Sequence, residues 1–373
     1  MRILLDRYIL FEWIKVFCIA VAVMLGILLM NDMYSTLGNL FESGIATEQI
    51  LLYYTLLSPT LIPIFLPISL LLSFMFVLGA LHRNNEITSM RAAGMNDFRI
   101  TRSLWLASII IAGVFLWMNA SVIPFCKEKS RKLYDSAMVE KQMRSSTDGH
   151  SAGIIKTLCF NNRRDSRLWF MNKFSRITNV GSGVRVSVLD NQAREIMRVM
   201  AREGVYDDVD KCWFFKDGQQ IEFDAENNRP VRAIGFDKQY YRNFKERPQI
   251  MILSMNRPSD LSMSENRTIL EALGGDDDYQ EALPYFVRKY SIWTSPLICV
   301  IVLAIAIPFA MSGVRTNPMV GVSKTIGLFF GYFVLDSLMT GLGSKGFIDP
   351  LVAAIIPPIT IFIFTAFLYR KNF

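Results

Sequence analysis

The chain has 373 residues, 51% of them hydrophobic, with a formal net charge of +7 and a mean hydropathy of +0.28. Soluble globular proteins of this size usually fall below zero on that scale, so the composition favours an integral membrane protein. The basic balance then reads as a Lys/Arg excess in cytoplasmic loops facing acidic lipid, not as a nucleic-acid surface.

Charge avoids six stretches: 16–31, 49–81, 103–126, 290–314, 325–344 and 350–369, of which the fifth is interrupted only by Asp336. A helix needs about 20 mostly apolar residues to cross a bilayer. The chain is therefore expected to be an α-helical membrane protein with six transmembrane helices, three before and three after an inserted polar region. From the N-terminus, 4–11 intersperses charged with large apolar residues, as an interfacial helix leading into span one does. Span two carries Pro59, Pro63 and Pro67. Each lacks a backbone donor, so the helix either kinks or begins only near Pro63. Between spans two and three, Ile87, Met90 and Ala93 recur every three residues and Gly94 follows as a C-cap. That pattern predicts a short amphipathic helix at about 84–94.

After span three, 127–143 is basic and helical in pattern. The period then changes. Segments 167–174, 184–189, 196–206, 212–223 and 231–241 are rich in Val, Ile, Phe, Trp and Tyr. Asn161-Asn162, Gly181-Ser182-Gly183, Asp217-Gly218 and Asn227-Asn228 punctuate them as turn signals. Short strands without intervening helices predict an all-β insert, an antiparallel sandwich or a jelly-roll-like domain. Residues 259–283 read as a polar helical linker whose Asp276-Asp277-Asp278 is a solvated turn, since no spaced ligand set accompanies it. The domains expected are 1–126, 127–283 and 284–373.

Topology follows from the short loops. Arg2 and Arg7, then Arg83, Arg91, Arg99 and Arg102, then Arg315 and Lys324, then Arg370 and Lys371 all fall on one side. The other side has only Lys345 in its short loops. Both termini are thus expected in the cytoplasm and the insert outside it. No small-residue cleavage site follows the first apolar run, which reads as a retained anchor. Cys159 and Cys212 allow either a disulfide in an oxidising compartment or two unpaired thiols.

Motifs for chemistry are sparse. His82 and His150 are the only histidines, and no HExxH or zinc-type spacing occurs. Gly321-Val-Ser-Lys-Thr lacks the first glycine of a nucleotide P-loop. No metal or cofactor is expected on the chain, and no enzyme activity of its own. Asp336 is an intramembrane candidate: such a charge is functional by default, or it reaches the interface or caps a backbone group. An external β domain, a surface helix and apolar spans suit a permease subunit driven by a separate ATPase. The alternative is an envelope scaffold or signalling protein whose β domain binds a partner without transport.

Several segments resemble one family. Leu5-Asp6-Arg7-Tyr8-Ile9, Pro67-Ile-Ser-Leu-Leu-Leu, Leu78-Gly79-Ala80-Leu81, Asn85-Glu86-Ile87-Thr88 and Met90-Arg-Ala-Ala-Gly94 are similar to the LptF/LptG family, the permease subunits of the lipopolysaccharide exporter. Tyr332-Phe-Val-Leu-Asp336 and Ile356-Pro357-Pro358 resemble the LptG branch, and Gly346-Phe-Ile-Asp349-Pro350 the LptF branch. The resemblance implies a heterodimer with the sister subunit, its first and fifth spans lining a cavity. It also implies an LptB-type ATPase dimer beneath, which uses the ATP, and LptC- and LptA-type jelly-roll proteins that receive the lipid. It places Glu86 on the coupling-helix glutamate, with Ile87, Met90, Arg91 and Gly94 around it, and Arg131 on a basic position of the family motif. Lys127, Lys129 and Lys132 beside Arg131 are candidates for the lipid phosphates or for anionic headgroups. The chain departs from the LptG pattern at the outer end of span one, where Asn31 and Asp32 stand near a usual lysine.

Overall fold

The computed structural model describes residues 2–145, 154–162, 165–176, 178–190, 192–208, 210–224, 229–258, 261–273, 279–311 and 318–372. His150, Asn227, Asn228, Asp276, Asp277, Asp278 and Arg315 lie outside them. The chain divides into two compact units. The first comprises Met1–Gly38, Leu51–Ser130 and Phe286–Phe373; the second comprises Asn39–Ile50 and Arg131–Tyr285.

The helical elements are α1 (Arg2–Ser43), α2 (Thr47–Thr60), α3 (Ile62–Arg83), α4 (Glu86–Ala92), α5 (Asp97–Trp117), α6 (Ile123–Ser145), α7 (Pro248–Ser254), α8 (Met263–Leu273), α9 (Tyr279–Thr294), α10 (Leu297–Ala310), α11 (Pro318–Ser344) and α12 (Pro350–Asn372). Among the described residues, five helices are long and apolar enough to cross a membrane, and six if the bent pair α9 and α10 is one span. Residues 4–11 lead into span one without a break, because α1 runs continuously from Arg2 to Ser43. No proline interrupts it, and Glu12 and Lys15 pair at 2.8 Å on one face. Span two is helical on both sides of a break at Leu61, with Pro63 in the first turn of α3, where its missing donor costs least. The expected span over 290–314 falls on α9 and α10, which meet at a bend of 57°, at Ser295-Pro296.

In the first unit α10 is the central helix, buried along most of its length and packed against α3, α5, α11 and α12. Trp13 of α1 stacks on Phe74 of α3 and donates its indole N–H to Ser73 Oγ at 3.0 Å. Five residues in π-helical geometry, Met118–Val122, join α5 to α6.

The second unit is built on one antiparallel sheet of six strands in consecutive order: β1 (Ile154–Asn162), β2 (Arg167–Ser175), β3 (Val180–Leu189), β4 (Glu195–Asp207), β5 (Cys212–Phe223) and β6 (Pro230–Tyr241). This is a meander, not the Greek-key order that the expected jelly roll implies. β1 was not among the expected strands. It is an edge strand whose Asn161-Asn162 mimics a turn signal. Cys159 on β1 is exposed, Cys212 on β5 is buried, and both are free thiols, so the disulfide alternative does not hold here.

How a meander encloses a core is visible in its alternation. Buried residues should recur every second position along a strand. Here the spacing slips to three at one level: Met171 to Phe174 on β2, Gly181 to Val184 on β3, and Ala201 to Gly204 on β4. The slip row crosses the sheet through Thr157, Asn172, Gly183, Arg202, Asp217 and Asp237, the position omitted from each strand pairing. Thr157, Gly183 and Asp217, on alternate strands, all have positive φ. The row is a crease at which each strand exchanges its faces, so apolar side chains on both sides of it join one core. That core includes Trp169, Met171, Phe174, Val184, Trp213 and Phe215.

Gly218 sits beside the crease. A Cβ there would meet the Met200 carbonyl oxygen at 2.6 Å and the Phe236 ring at 2.7 Å, whereas one at Gly235 would meet nothing within 4 Å. A strand carbonyl cannot yield as a side chain can. Gly218→Ala is expected to destabilise the sheet unit by about 1–3 kcal/mol and Gly235→Ala to leave it within about 0.5 kcal/mol. Urea midpoints of the two variants, followed by limited proteolysis, check this.

Candidate functional site

α4 begins after Asn85, whose left-handed φ of 62° turns the chain sharply out of α3. It ends as the glycine pattern predicts. Gly94 has a φ of +81°, its N–H donates to the Arg91 carbonyl at 2.9 Å, and the Met95 N–H donates to the Met90 carbonyl at 3.1 Å. These two bonds form a Schellman cap. Ile87 and Met90 are buried in the core of the first unit. They therefore anchor α4 and do not face outward. Glu86 is half-exposed in the first turn, where Asn84 Nδ2 donates to its Oε1 at 3.4 Å and the Tyr8 phenol lies against it. Arg83, Arg99 and Arg102 nearby are exposed. Arg91 turns back into the unit, its Nε donating to Asp97 Oδ1 at 2.7 Å and its Nη2 to the Met311 carbonyl at 3.2 Å. α4 thus offers a carboxylate to solvent from a helix held rigidly by two apolar anchors and one guanidinium.

The four cations past span three are less available than their sequence suggests. Arg131 is ion-paired with Glu265. Glu265 belongs to a capping box at the start of α8: its Oε2 accepts from the Ser262 backbone N–H at 2.9 Å, and its own N–H donates to Ser262 Oγ at 3.3 Å. Burial pushes the Glu265 carboxyl up, but the Ser262 N–H and the Arg131 guanidinium more than offset it, so the group sits below the usual carboxylate range. Lys129 lies over the Phe125 ring, 4.4 Å from its centroid. Lys127 and Lys132 each hold partners of their own. Ser262-x-x-Glu265 was a legible capping signal, but nothing local ties it to Arg131, 134 residues away.

A family model described as lipopolysaccharide export system permease LptF/LptG matches residues 7–371. The chain belongs to the LptF/LptG family. Two relatives are the lipopolysaccharide export system permease proteins LptG of Escherichia coli strain K12 and of Escherichia coli O6:H1 strain CFT073. Each is 22% identical over 375 residues, which cover 99% of this chain and 98% of the relative. Both carry the LptG name, the branch that Tyr332–Asp336 and Ile356–Pro358 resemble.

Within this LptF/LptG chain, Asn31 is exposed and Asp32 half-buried. Asp336 is half-buried on α11, one turn after the buried Tyr332. Among the described residues, no group of three or more His, Cys, Asp or Glu is placed to hold a metal ion.

Proposed function

We propose that this chain is a transmembrane subunit, in the LptG role, of an ABC-type exporter that takes lipopolysaccharide out of the inner membrane. Three spans precede the folded sheet and three follow it. Both termini lie in the cytoplasm, and the sheet unit lies in the periplasm. The observation that carries the reading is α4: its half-exposed carboxylate, Glu86, stands on a short rigid helix between two spans, and Arg83, Arg99 and Arg102 of the same connection are exposed. A carboxylate so placed suits a charge-assisted bond to an arginine of a separate ATPase. The chain itself binds no nucleotide, and ATP is used by an LptB-type dimer docked at α4.

The lipid's acyl chains require apolar cover, since each exposed methylene costs about 0.8 kcal/mol. The creased sheet gathers Trp169, Phe174, Trp213 and Phe215 into one apolar core, and β1 and β6 are its edge strands, the kind that pair with another sheet. LptC- and LptA-type proteins are the receivers in this scheme, and a sister subunit completes the cavity. Lys129 and its neighbours serve the phosphates or the headgroups; with Arg131 held by Glu265, Lys129 is the residue of this set that we assign to that task.

Solubilising the intact complex in mild detergent and analysing its proteins and lipids by mass spectrometry tests the proposal. The expected result is a sister permease, an ATPase and lipopolysaccharide in one particle. Recovery of an envelope partner without ATPase or lipid would favour a scaffold instead.

A further inference from the structure

Arg91 makes two bonds that no docking role requires. Its guanidinium forks between Asp97, at the start of α5, and the carbonyl of Met311, which directly follows α10. The last carbonyls of a helix lack intrahelical partners, and a cation there also meets the negative end of the helix dipole. Met311 is fully buried, and the bond itself is partly buried. α4 is joined to α3 and α5 by the chain itself. Its polar tie to α10 runs across 220 residues of sequence.

α10 is the helix whose displacement reaches furthest, because α3, α5, α11 and α12 all pack on it. At its other end lies the 57° bend, where Asn119 Nδ2 donates to Ser295 Oγ at 2.9 Å. Asn119 belongs to the π-helical segment between α5 and α6. Two irregular points, a bend and a π-helical segment, are thereby bolted together. Both are places where a helix changes direction at low cost.

We infer that Arg91 is a positioning residue that makes α10 move with α4, and that Asn119 and Ser295 pass this movement to α5 and α6. The inference rests on the ATPase docking proposed above. It identifies what transmits force once the motor is bound. Arginine is suited to the task because its planar fork holds two acceptors at once, whereas a lysine offers a single point charge.

The test uses the complete exporter, with sister subunit and ATPase, reconstituted in liposomes with lipopolysaccharide. ATPase co-purification, ATP hydrolysis and lipid released per ATP are measured for Arg91→Met, Arg91→Lys and Asn119→Leu. Arg91→Met is expected to keep the ATPase bound and hydrolysing while lipid released per ATP falls about tenfold, the loss expected for one hydrogen bond from a charged donor. Arg91→Lys should fall between wild type and Arg91→Met, and Asn119→Leu should show the same separation of hydrolysis from release. Wild-type release per ATP in both Arg91 variants overturns the inference. So does loss of the ATPase from Arg91→Met and Arg91→Lys alike, which would make Arg91 a docking contact. Should Arg91→Met fail to assemble, Arg91→Lys, which keeps the charge, carries the test. Failure of the docking proposal itself would instead show as an ATPase that stays bound when Glu86 is reversed.

Discussion

Glu86→Arg is expected to strip the ATPase from the solubilised complex and abolish lipid release, while the variant inserts in the membrane at wild-type level. Glu86 is half-exposed and contributes little to the core, so its loss leaves the two apolar anchors and the Schellman cap of α4 intact. Reversing the charge does more than remove a bond. It sets like charges against each other at an interface, and such a juxtaposition costs several kcal/mol. Each 1.4 kcal/mol is tenfold in affinity, so association should weaken by about a hundredfold or more. Glu86→Gln, which keeps shape and removes charge, should weaken it by about tenfold. Titrating ATPase onto the immobilised permease reads both values. Equal ATPase binding by all three proteins would remove Glu86 from the interface.

The second large effect falls in the sheet unit. Trp213 is fully buried, and its ring lies 4.9 Å from Trp169 and 5.5 Å from Tyr206. Its indole N–H donates to the Glu246 carbonyl at 2.8 Å. The Glu246 carboxylate in turn accepts from Arg167 Nη1 at 2.8 Å and from Asn162 Nδ2 at 2.9 Å. Glu246, between β6 and α7, therefore clips the chain to β1, β2 and β5. Trp213→Ala empties the centre of the core, which costs about 3–5 kcal/mol. It also strands the Glu246 carbonyl, worth about 1–3 kcal/mol more. A folded domain has only about 5–15 kcal/mol in hand, so the sheet unit should become protease-sensitive at ambient temperature. Trp213→Phe keeps most of the volume and loses the donor; it should cost markedly less. The decisive measurement is the urea midpoint of protease resistance in the full-length protein, and a Trp213→Ala midpoint equal to wild type would refute the packing account.

The amino-acid sequence by itself determined where helices long enough for a bilayer lie, because long apolar stretches free of charge register locally as transfer free energy. It determined five of the six strands through their β-branched and aromatic runs, and α4 through its apolar spacing and Gly94. The LptF/LptG motifs, too, are contiguous strings of residues. What only the tertiary structure decided are relations between distant residues. The crease is a slip of one residue on each strand, trivial in any one strand and consequential only when aligned across six. Arg131 meets Glu265 across 134 residues, and Arg91 meets Met311 across 220. A cation's sequence neighbours cannot report which acceptor will be folded against it, so the same four basic residues read as a phosphate site in one dimension and include a committed ion pair in three. The bend at Ser295-Pro296 lay in plain view as a proline. A proline marks where a helix can bend, through its missing donor and its clash with the preceding turn, but not by how much.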